Sequence, residues 1–188
     1  QEFPEIPFVG MEPAGKAAAE QSRSGKVGVL ATPSTFQGEL YASVVERFAN
    51  GVEIYQETCP GLVSQIEKGQ LDTPKTRRIL EATLLPLMAR GVDTLVMGCT
   101  HFPFVIPLIE QITAGQARVI DPAPAVARQT QRVLEERRLL NPQPEAGLTR
   151  YYTTGDPAKF ARVLPRLIGV QANPLALCWQ GKDLTPID

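Results

Sequence analysis

Short apolar runs of strand length alternate with longer amphipathic segments along most of this 188-residue chain. The apolar runs predict strands over 6–10, 27–31, 52–57, 93–98 and 117–121. The amphipathic segments predict helices over 13–23, 36–49, 59–69, 73–90, 103–112 and 122–140. This alternation predicts an α/β fold with a mostly parallel sheet and helices on both of its faces.

Capping residues mark the predicted starts of two helices, one given above and one nearer the C-terminus. Thr73 followed by Pro74 is typical of a helix start, and Asp156 followed by Pro157 repeats the pattern near the C-terminus. Between them, the proline-containing segment 141–147 is predicted to be a linker or a long loop. A strand over 148–154 and an apolar end over 175–179 complete the prediction.

The composition of the chain argues against nucleic acid and membranes as binding partners. Nineteen basic and twenty acidic residues give a net charge of −1, without the basic patch that nucleic acid or an anionic membrane would need. The apolar runs are too short for a transmembrane helix, and the N-terminus does not resemble a signal peptide. The three cysteines match no metal-binding spacing, so we expect reduced thiols, no metal and a cytoplasmic protein.

Three predicted strand ends carry polar or thiol side chains that could meet around one small ligand, because parallel strands end at the same sheet edge. Thr32 and Thr35 follow the first, although they could simply cap a helix. Cys59 follows the second, and we interpret it, like Cys178, as a small buried apolar residue.

Cys99 and His101, the only histidine, follow a third strand end and precede a predicted helix. A helix N-terminus and an imidazolium would both lower the pKa of a thiol and make it reactive. The i, i+2 spacing places both side chains on one side if the segment is extended. The alternative is a buried cysteine that is merely next to a surface histidine.

Four segments, ATPSTFQG, ETCPGLV, GCTHFP and YYTTGDPAKF, occur in an order that resembles the glutamate racemases. His101 favours them over the related aspartate racemases, which usually carry Glu at that position. The resemblance implies two α/β lobes with the active site between them and a cofactor-independent reaction. One cysteine on each face of glutamate would exchange the α-proton, which would supply D-glutamate for peptidoglycan.

The resemblance also assigns roles to residues. Cys99 would be the acid and base of the second lobe, and Thr100 and His101 would bind glutamate, with His101 also assisting the thiol. Thr32 and Thr35 would line the pocket. Glu67 would have an auxiliary catalytic role. No cofactor is implied, and a homodimer remains open.

The chain departs from the family in its first lobe. The family's Asp-Ser-Gly strand end, Pro-Tyr-Gly loop and Cys-Asn-Thr-Ala segment with the other catalytic cysteine do not occur in this sequence. We therefore interpret 1–9 as the crossover from an upstream lobe, 10–121 as the second lobe and 122–188 as the return to the first.

Several interpretations remain open. The chain could be part of a longer racemase, a half-enzyme that needs a partner chain, or a non-catalytic module that binds an amino acid. A thiol hydrolase that uses Cys99 and His101 is a further alternative.

Overall fold

The computed structural model describes residues 3, 5–11, 15–48, 51–143 and 147–186. Contacts divide the chain into two compact units. The larger unit comprises 1–66 and 70–140, and the smaller comprises 67–69 and 141–188. The proposed lobe boundary at residue 122 stays a prediction, because it concerns the two-lobed enzyme that the resemblance implies.

A parallel four-stranded sheet forms the centre of the larger unit, as the alternating pattern predicted. Its order is β2-β1-β3-β4. The strands are β1 (Lys26–Leu30), β2 (Glu53–Glu57), β3 (Thr94–Met97) and β4 (Arg118–Ile120). The two central strands, β1 and β3, are almost entirely buried, which explains why they read as continuous apolar runs.

Helices cover both faces of this sheet. They are α1 (Gly15–Gln21), α2 (Pro33–Phe36), α3 (Glu39–Phe48), α4 (Leu62–Glu67), α5 (Pro74–Ala89), α6 (Ile106–Thr113) and α7 (Ala123–Glu136), with a 3-10 helix at Phe102–Val105. On one face, Ala18 of α1 and Tyr41 of α3 pack with Val27, Val29 and Val96. On the other, Leu87 of α5 lies over Gly28.

Thr73 caps α5 as predicted, because its side chain accepts a hydrogen bond from the Thr76 N–H at 3.2 Å. A second polar contact joins distant parts of the larger unit. The Asp93 carboxylate accepts hydrogen bonds from the Ser22 hydroxyl at 2.7 Å and from the N–H groups of Arg23 and Ser24 at 2.8 and 2.7 Å. These bonds tie the turn before β1 to the start of β3.

The smaller unit contains a helix and a three-stranded sheet. They are α8 (Pro157–Ile168), β5 (Tyr152–Thr153), β6 (Leu175–Gln180) and β7 (Asp183–Pro186). β6 pairs in parallel with β5 and antiparallel with β7. The Asp156 side chain accepts hydrogen bonds from the N–H groups of Ala158 and Lys159, so its predicted capping role is confirmed.

Five element predictions need correction. Residues 6–10 form no strand, and Phe8 in that run is 72% exposed, so its apolar pattern does not reflect burial. The predicted 36–49 helix begins instead at Glu39, after the short helix α2 that ends at Phe36, and residue 49 lies outside the described residues. The predicted 148–154 strand is reduced to the two residues of β5. The helix predicted over 122–140 corresponds to α7, which ends earlier, at Glu136.

The predicted 103–112 helix also has a different start. A 3-10 helix comes first and α6 begins at Ile106, because Pro107 has no N–H to donate to the carbonyl of Pro103. Residues 13 and 14, the predicted start of the first helix, lie outside the described residues. Within the described ranges, no helix has the length and apolar character needed to cross a membrane.

Candidate active site

The three polar strand ends are neighbours in the structure. β1 lies between β2 and β3, and all three run in the same direction. The pairing continues past the strands, since the Ala31 N–H donates to the Glu57 carbonyl at 3.1 Å and the Gly98 N–H donates to the Leu30 carbonyl at 2.8 Å. The segments that carry Thr32, Cys59 and Cys99 therefore begin side by side at one sheet edge. That they hold one ligand stays a prediction.

Gly98 allows β1 and β3 to stay close at this edge. A Cβ atom at Gly98 would lie 3.0 Å from the Ala31 Cβ and 3.2 Å from the Leu30 carbonyl oxygen. Both distances are shorter than most real contacts of a Cβ atom, so a side chain here would push the strand ends apart. The glycine thus places Cys99 next to the end of β1.

Cys99 and His101 are in contact through a tight turn. The Cys99 Sγ lies 4.0 Å from the His101 Nδ1, and the Phe102 N–H donates to the Cys99 carbonyl at 3.2 Å. The segment is not extended, because the chain bends at Cys99 to enter the 3-10 helix, yet the turn still brings the two side chains into contact. Cys99 is 8% exposed and His101 is half-buried, so the thiol is shielded while the imidazole reaches towards solvent.

The hydroxyls of Thr32 and Thr35 lie 3.1 Å apart and are half-buried. Thr32 occupies the N-cap position of α2, but its side chain makes no capping hydrogen bond. Its backbone carbonyl accepts from the N–H groups of Thr35 and Phe36 instead. The capping alternative is therefore wrong for the Thr32 side chain, and a role of the hydroxyl pair in binding a ligand stays a prediction. Thr100 is exposed at the turn.

Cys59 has a different environment from Cys99. It is 6% exposed, and its Sγ lies 3.7 Å from the Thr83 Oγ1. Burial raises the pKa of Cys59 to about 11; the Thr83 hydrogen bond opposes this shift, and the charges of Glu57 and Cys99 add to it. The thiol is thus neutral at ordinary pH, in agreement with the small buried residue that we expected.

Sequence reasoning missed Thr83, although a signal was present. Thr83 lies on the face of α5 that also buries Thr76, Leu80, Leu84 and Leu87. A threonine at a helical period among apolar residues must find a hydrogen-bond partner when it is buried. Its partners are the thiol of Cys59 and the carbonyls of Thr58 and Ile79.

The remaining predicted residues lie elsewhere. Glu67 is exposed at the end of α4, and its contacts group it with the smaller unit, so its auxiliary role rests on the resemblance. Cys178 is half-buried in β6, where its Sγ lies 3.5 Å from the Thr185 Oγ1. Among the described residues, no group of three or more His, Cys, Asp or Glu side chains could hold a metal ion.

Several known proteins of similar sequence or fold are glutamate racemases. The glutamate racemase of Ectopseudomonas mendocina is 47% identical over 173 residues, which cover 92% of this chain and 65% of that protein. A glutamate racemase isoform from Bacillus anthracis has a TM-score of 0.78 at 27% identity, covering 93% of this chain and 65% of that one. The Francisella tularensis glutamate racemase in complex with D-glutamate has a TM-score of 0.71 at 27% identity, covering 86% and 59%.

This chain spans 65% of the length of the Ectopseudomonas mendocina relative. The matching structures support the α/β fold with its parallel sheet. Residues 1–130 match the family described as Asp/Glu/Hydantoin racemase. The chain belongs to the Asp/Glu/Hydantoin racemase family.

Proposed function

We propose that this chain supplies one catalytic half of a cytoplasmic glutamate racemase, which interconverts L- and D-glutamate without a cofactor. The observation that carries the proposal is the Cys99–His101 contact of 4.0 Å at the carboxyl edge of the parallel sheet. The similarity to glutamate racemases over most of the chain supports the choice of substrate. The D-glutamate product would serve peptidoglycan synthesis.

In this mechanism, the thiolate of Cys99 removes the α-proton of glutamate and becomes a thiol. The electron pair of the broken C–H bond stays on the α-carbon, where the adjacent carboxyl group delocalises it. His101 hydrogen-bonds to the sulfur and stabilises its thiolate form. Hydroxyls of Thr32, Thr35 and Thr100 orient the substrate.

Inversion needs a second acid that delivers a proton to the opposite face of the α-carbon. Cys59 does not suit this role, because it belongs to the same sheet edge as Cys99 and its thiol is buried with a pKa of about 11. The resemblance places the second acid on a Cys-Asn-Thr-Ala segment that this sequence does not contain. Glu67 would assist proton transfer, and the complete enzyme would form a homodimer.

The test is a chimera in which the first-lobe segment of the Ectopseudomonas mendocina relative is fused to this chain. Circular dichroism should show racemisation of either glutamate enantiomer by the chimera. Cys99→Ala should abolish the reaction, and Cys178→Ala is the matched control that should leave it unchanged. The 188-residue chain alone should not racemise glutamate, since it offers a thiol for one face only.

Two results would contradict the proposal. One is undiminished racemisation by the Cys99→Ala chimera, and the other is racemisation by the isolated chain. Exchange of the α-proton for deuterium on a single enantiomer, without inversion, would agree with one-sided chemistry at Cys99. A burst of product from an activated ester would instead indicate a thiol hydrolase that acylates Cys99.

A further inference from the structure

One face of the three-stranded sheet in the smaller unit is apolar although it is open to solvent. Residues that pair directly across neighbouring strands point to the same side of a sheet, and alternate residues of a strand share that side. The register of β5, β6 and β7 therefore gathers six residues on this face: Tyr152, Leu175, Leu177, Trp179, Leu184 and Pro186. We call it the Trp179 face. The exposed fraction is 63% for Trp179 and between 44% and 55% for Tyr152, Leu175 and Leu184.

The helix α8 packs on the opposite face. Tyr151 comes directly before β5, and its ring centre lies 6.4 Å from that of Phe160 on α8, in an edge-to-face arrangement. Tyr151 still belongs to the pairing, because its carbonyl accepts a hydrogen bond from the Leu175 N–H at 2.9 Å. Its side chain and that of Tyr152 consequently point to opposite sides of the sheet. The Trp179 face is thus the side of the sheet that points away from Phe160.

Contact with water does not explain the composition of the Trp179 face. A sheet that is open to water on one side normally carries polar side chains on that side. None of the six residues on this face is charged, and four of them are leucine or tryptophan. Contiguous apolar patches of this kind mark sites of interaction, and tryptophan and tyrosine are enriched in the interfaces between proteins. The face therefore has the composition of a surface that is covered by a partner.

We propose that the Trp179 face binds the same face of a second copy of this chain. Two apolar sheet faces can stack about 10 Å apart with interdigitated side chains. A net charge of −1 per chain gives only weak repulsion between two copies. A membrane surface is a poorer match, since the turn beside the face carries Lys182 and Asp183, whose charges cancel, instead of a basic cluster. The proposal concerns the chain itself and does not rest on racemase activity.

The area of the Trp179 face predicts a weak and reversible dimer. At these exposed fractions the face offers on the order of 500 Å², of which the two aromatic side chains supply about half. Two copies would bury on the order of 1,000 Å² in total, which is near the lower limit of specific interfaces. Interfaces of that size are typically transient, so we expect a dissociation constant in the micromolar range.

The test uses Trp179 as a reporter, because it is the only tryptophan in the chain. Its fluorescence should shift to shorter wavelength and become harder to quench with acrylamide as the chain concentration rises from about 1 to about 500 μM. Sedimentation velocity over the same range should show monomer passing into dimer.

Two variants locate the contact. Leu184→Thr keeps the reporter and should weaken the dimer about tenfold or more, since each dimer loses two buried leucine side chains next to Trp179. Ile168→Thr is the matched control, because Ile168 is 48% exposed, compared with 46% for Leu184, but lies on α8. This variant should dimerise like the parent chain.

Three results would overturn the proposal. The first is fluorescence that does not change with concentration, together with a monomer throughout in sedimentation. The second is a dimer that Leu184→Thr leaves intact, or that Ile168→Thr weakens equally, since the contact would then lie elsewhere. The third is a shift of Trp179 emission when vesicles of phosphatidylglycerol are added to the dilute monomer, which would assign the face to a membrane. Far-UV circular dichroism checks the fold of both variants, and the dilution series of the parent chain decides the question even if one of them unfolds.

Discussion

The Sγ of Cys59 lies 3.7 Å from the Oγ1 of Thr83, and both side chains are buried. Burial accounts for most of the rise in the pKa of Cys59 to about 11. The thiol therefore remains protonated at neutral pH and can donate its proton to the threonine oxygen. Cys99, at the end of β3 on the other side of β1, has an imidazole in contact. The two thiols at one sheet edge thus have different surroundings, which gives the first prediction.

Alkylation should distinguish the cysteines. Because iodoacetamide reacts with thiolates, we expect Cys99 to be labelled first and Cys59 to resist labelling near neutral pH. Peptide mapping by mass spectrometry after short exposures measures the order. His101→Gln should slow labelling at Cys99 alone. Equal labelling of Cys59, Cys99 and Cys178 in the folded protein would contradict the prediction.

Thr83→Val should lower the free energy of unfolding by about 1 kcal/mol, the usual net value of a hydrogen bond. The substitution keeps the shape of the side chain but leaves the buried Cys59 thiol without its acceptor. Thr130→Val is the control, since Thr130 donates to the Val126 carbonyl on an exposed part of α7. Urea unfolding measures both, and an equal shift in the two variants would rule out a special role for Thr83.

Asp93 should make stability depend on pH in the acid range. Burial opposes its ionisation, but hydrogen bonds from Ser22, Ser24, Arg23 and Thr94 outweigh burial and lower its pKa from 3.8 to about 2. A lowered pKa in the folded state stabilises the protein above the unfolded value, and this contribution disappears as pH falls through about 2.

Asp93→Asn should therefore reduce stability by about 1–2 kcal/mol at pH 7, after allowance for partial solvent screening. The difference from the parent chain should shrink as pH falls from about 4 towards about 2. Asp72→Asn is the control, because Asp72 lies 3.6 Å from Arg77 in an exposed ion pair. A pH-independent deficit in Asp93→Asn would show that its charge is not involved.

Gly28→Ala should destabilise the larger unit by about 1 kcal/mol or more, because an added methyl group overpacks the layer between β1 and α5. The new Cβ would lie 2.9 Å from the Leu95 Cδ2 and 3.1 Å from the Leu87 Cδ1. Gly147→Ala has nothing within 4 Å and serves as the control. Thermal unfolding measures both, and an unchanged midpoint for Gly28→Ala would mean that the core adjusts without cost.

Hydrogen exchange should be faster in α7, and more generally over 122–188, than over 10–121. α7 buries none of its residues, whereas α5 buries Leu80, Leu84 and Leu87 completely. Val126 and Val133 of α7 line an open groove of about 560 Å³. Mass spectrometry of a monomeric sample measures the contrast. Uniform strong protection would contradict it, and dimerisation over the groove should reduce the difference at higher concentration.

The central strands could be predicted because they are buried on both faces, which leaves an unbroken apolar run in the sequence. The same signal failed at 6–10, where an equally apolar run contains the exposed Phe8. Apolar content shows that a segment can be buried but does not show that it is. β7 was missed for the opposite reason, since its short and largely exposed sequence has no apolar run.

The arrangement of the strand ends around the candidate site was predicted, but the contacts there were not. Strand order brings the segments of Thr32, Cys59 and Cys99 together, as parallel strand ends suggested. The turn at Cys99, which is closed by the hydrogen bond from the Phe102 N–H to the Cys99 carbonyl, was not predicted, because the sequence pattern there does not distinguish a turn from an extended segment. The contact between Cys59 and Thr83 joins residues 24 positions apart and so required the folded chain.

The unpaired outer edge of β2 could pair with the sheet of a second molecule, and the charges along it affect that pairing. β2 is the terminal strand of the sheet, and it starts with Glu53 and finishes with Glu57. If two molecules joined their sheets antiparallel about Tyr55, Glu53 of one would face Glu57 of the other, and like charges in that position repel. The guanidinium carbon of Arg90 lies 5.3 Å from the centre of the Tyr55 ring, over its face. These residues disfavour growth of the sheet from one molecule to the next and so act against aggregation through this edge.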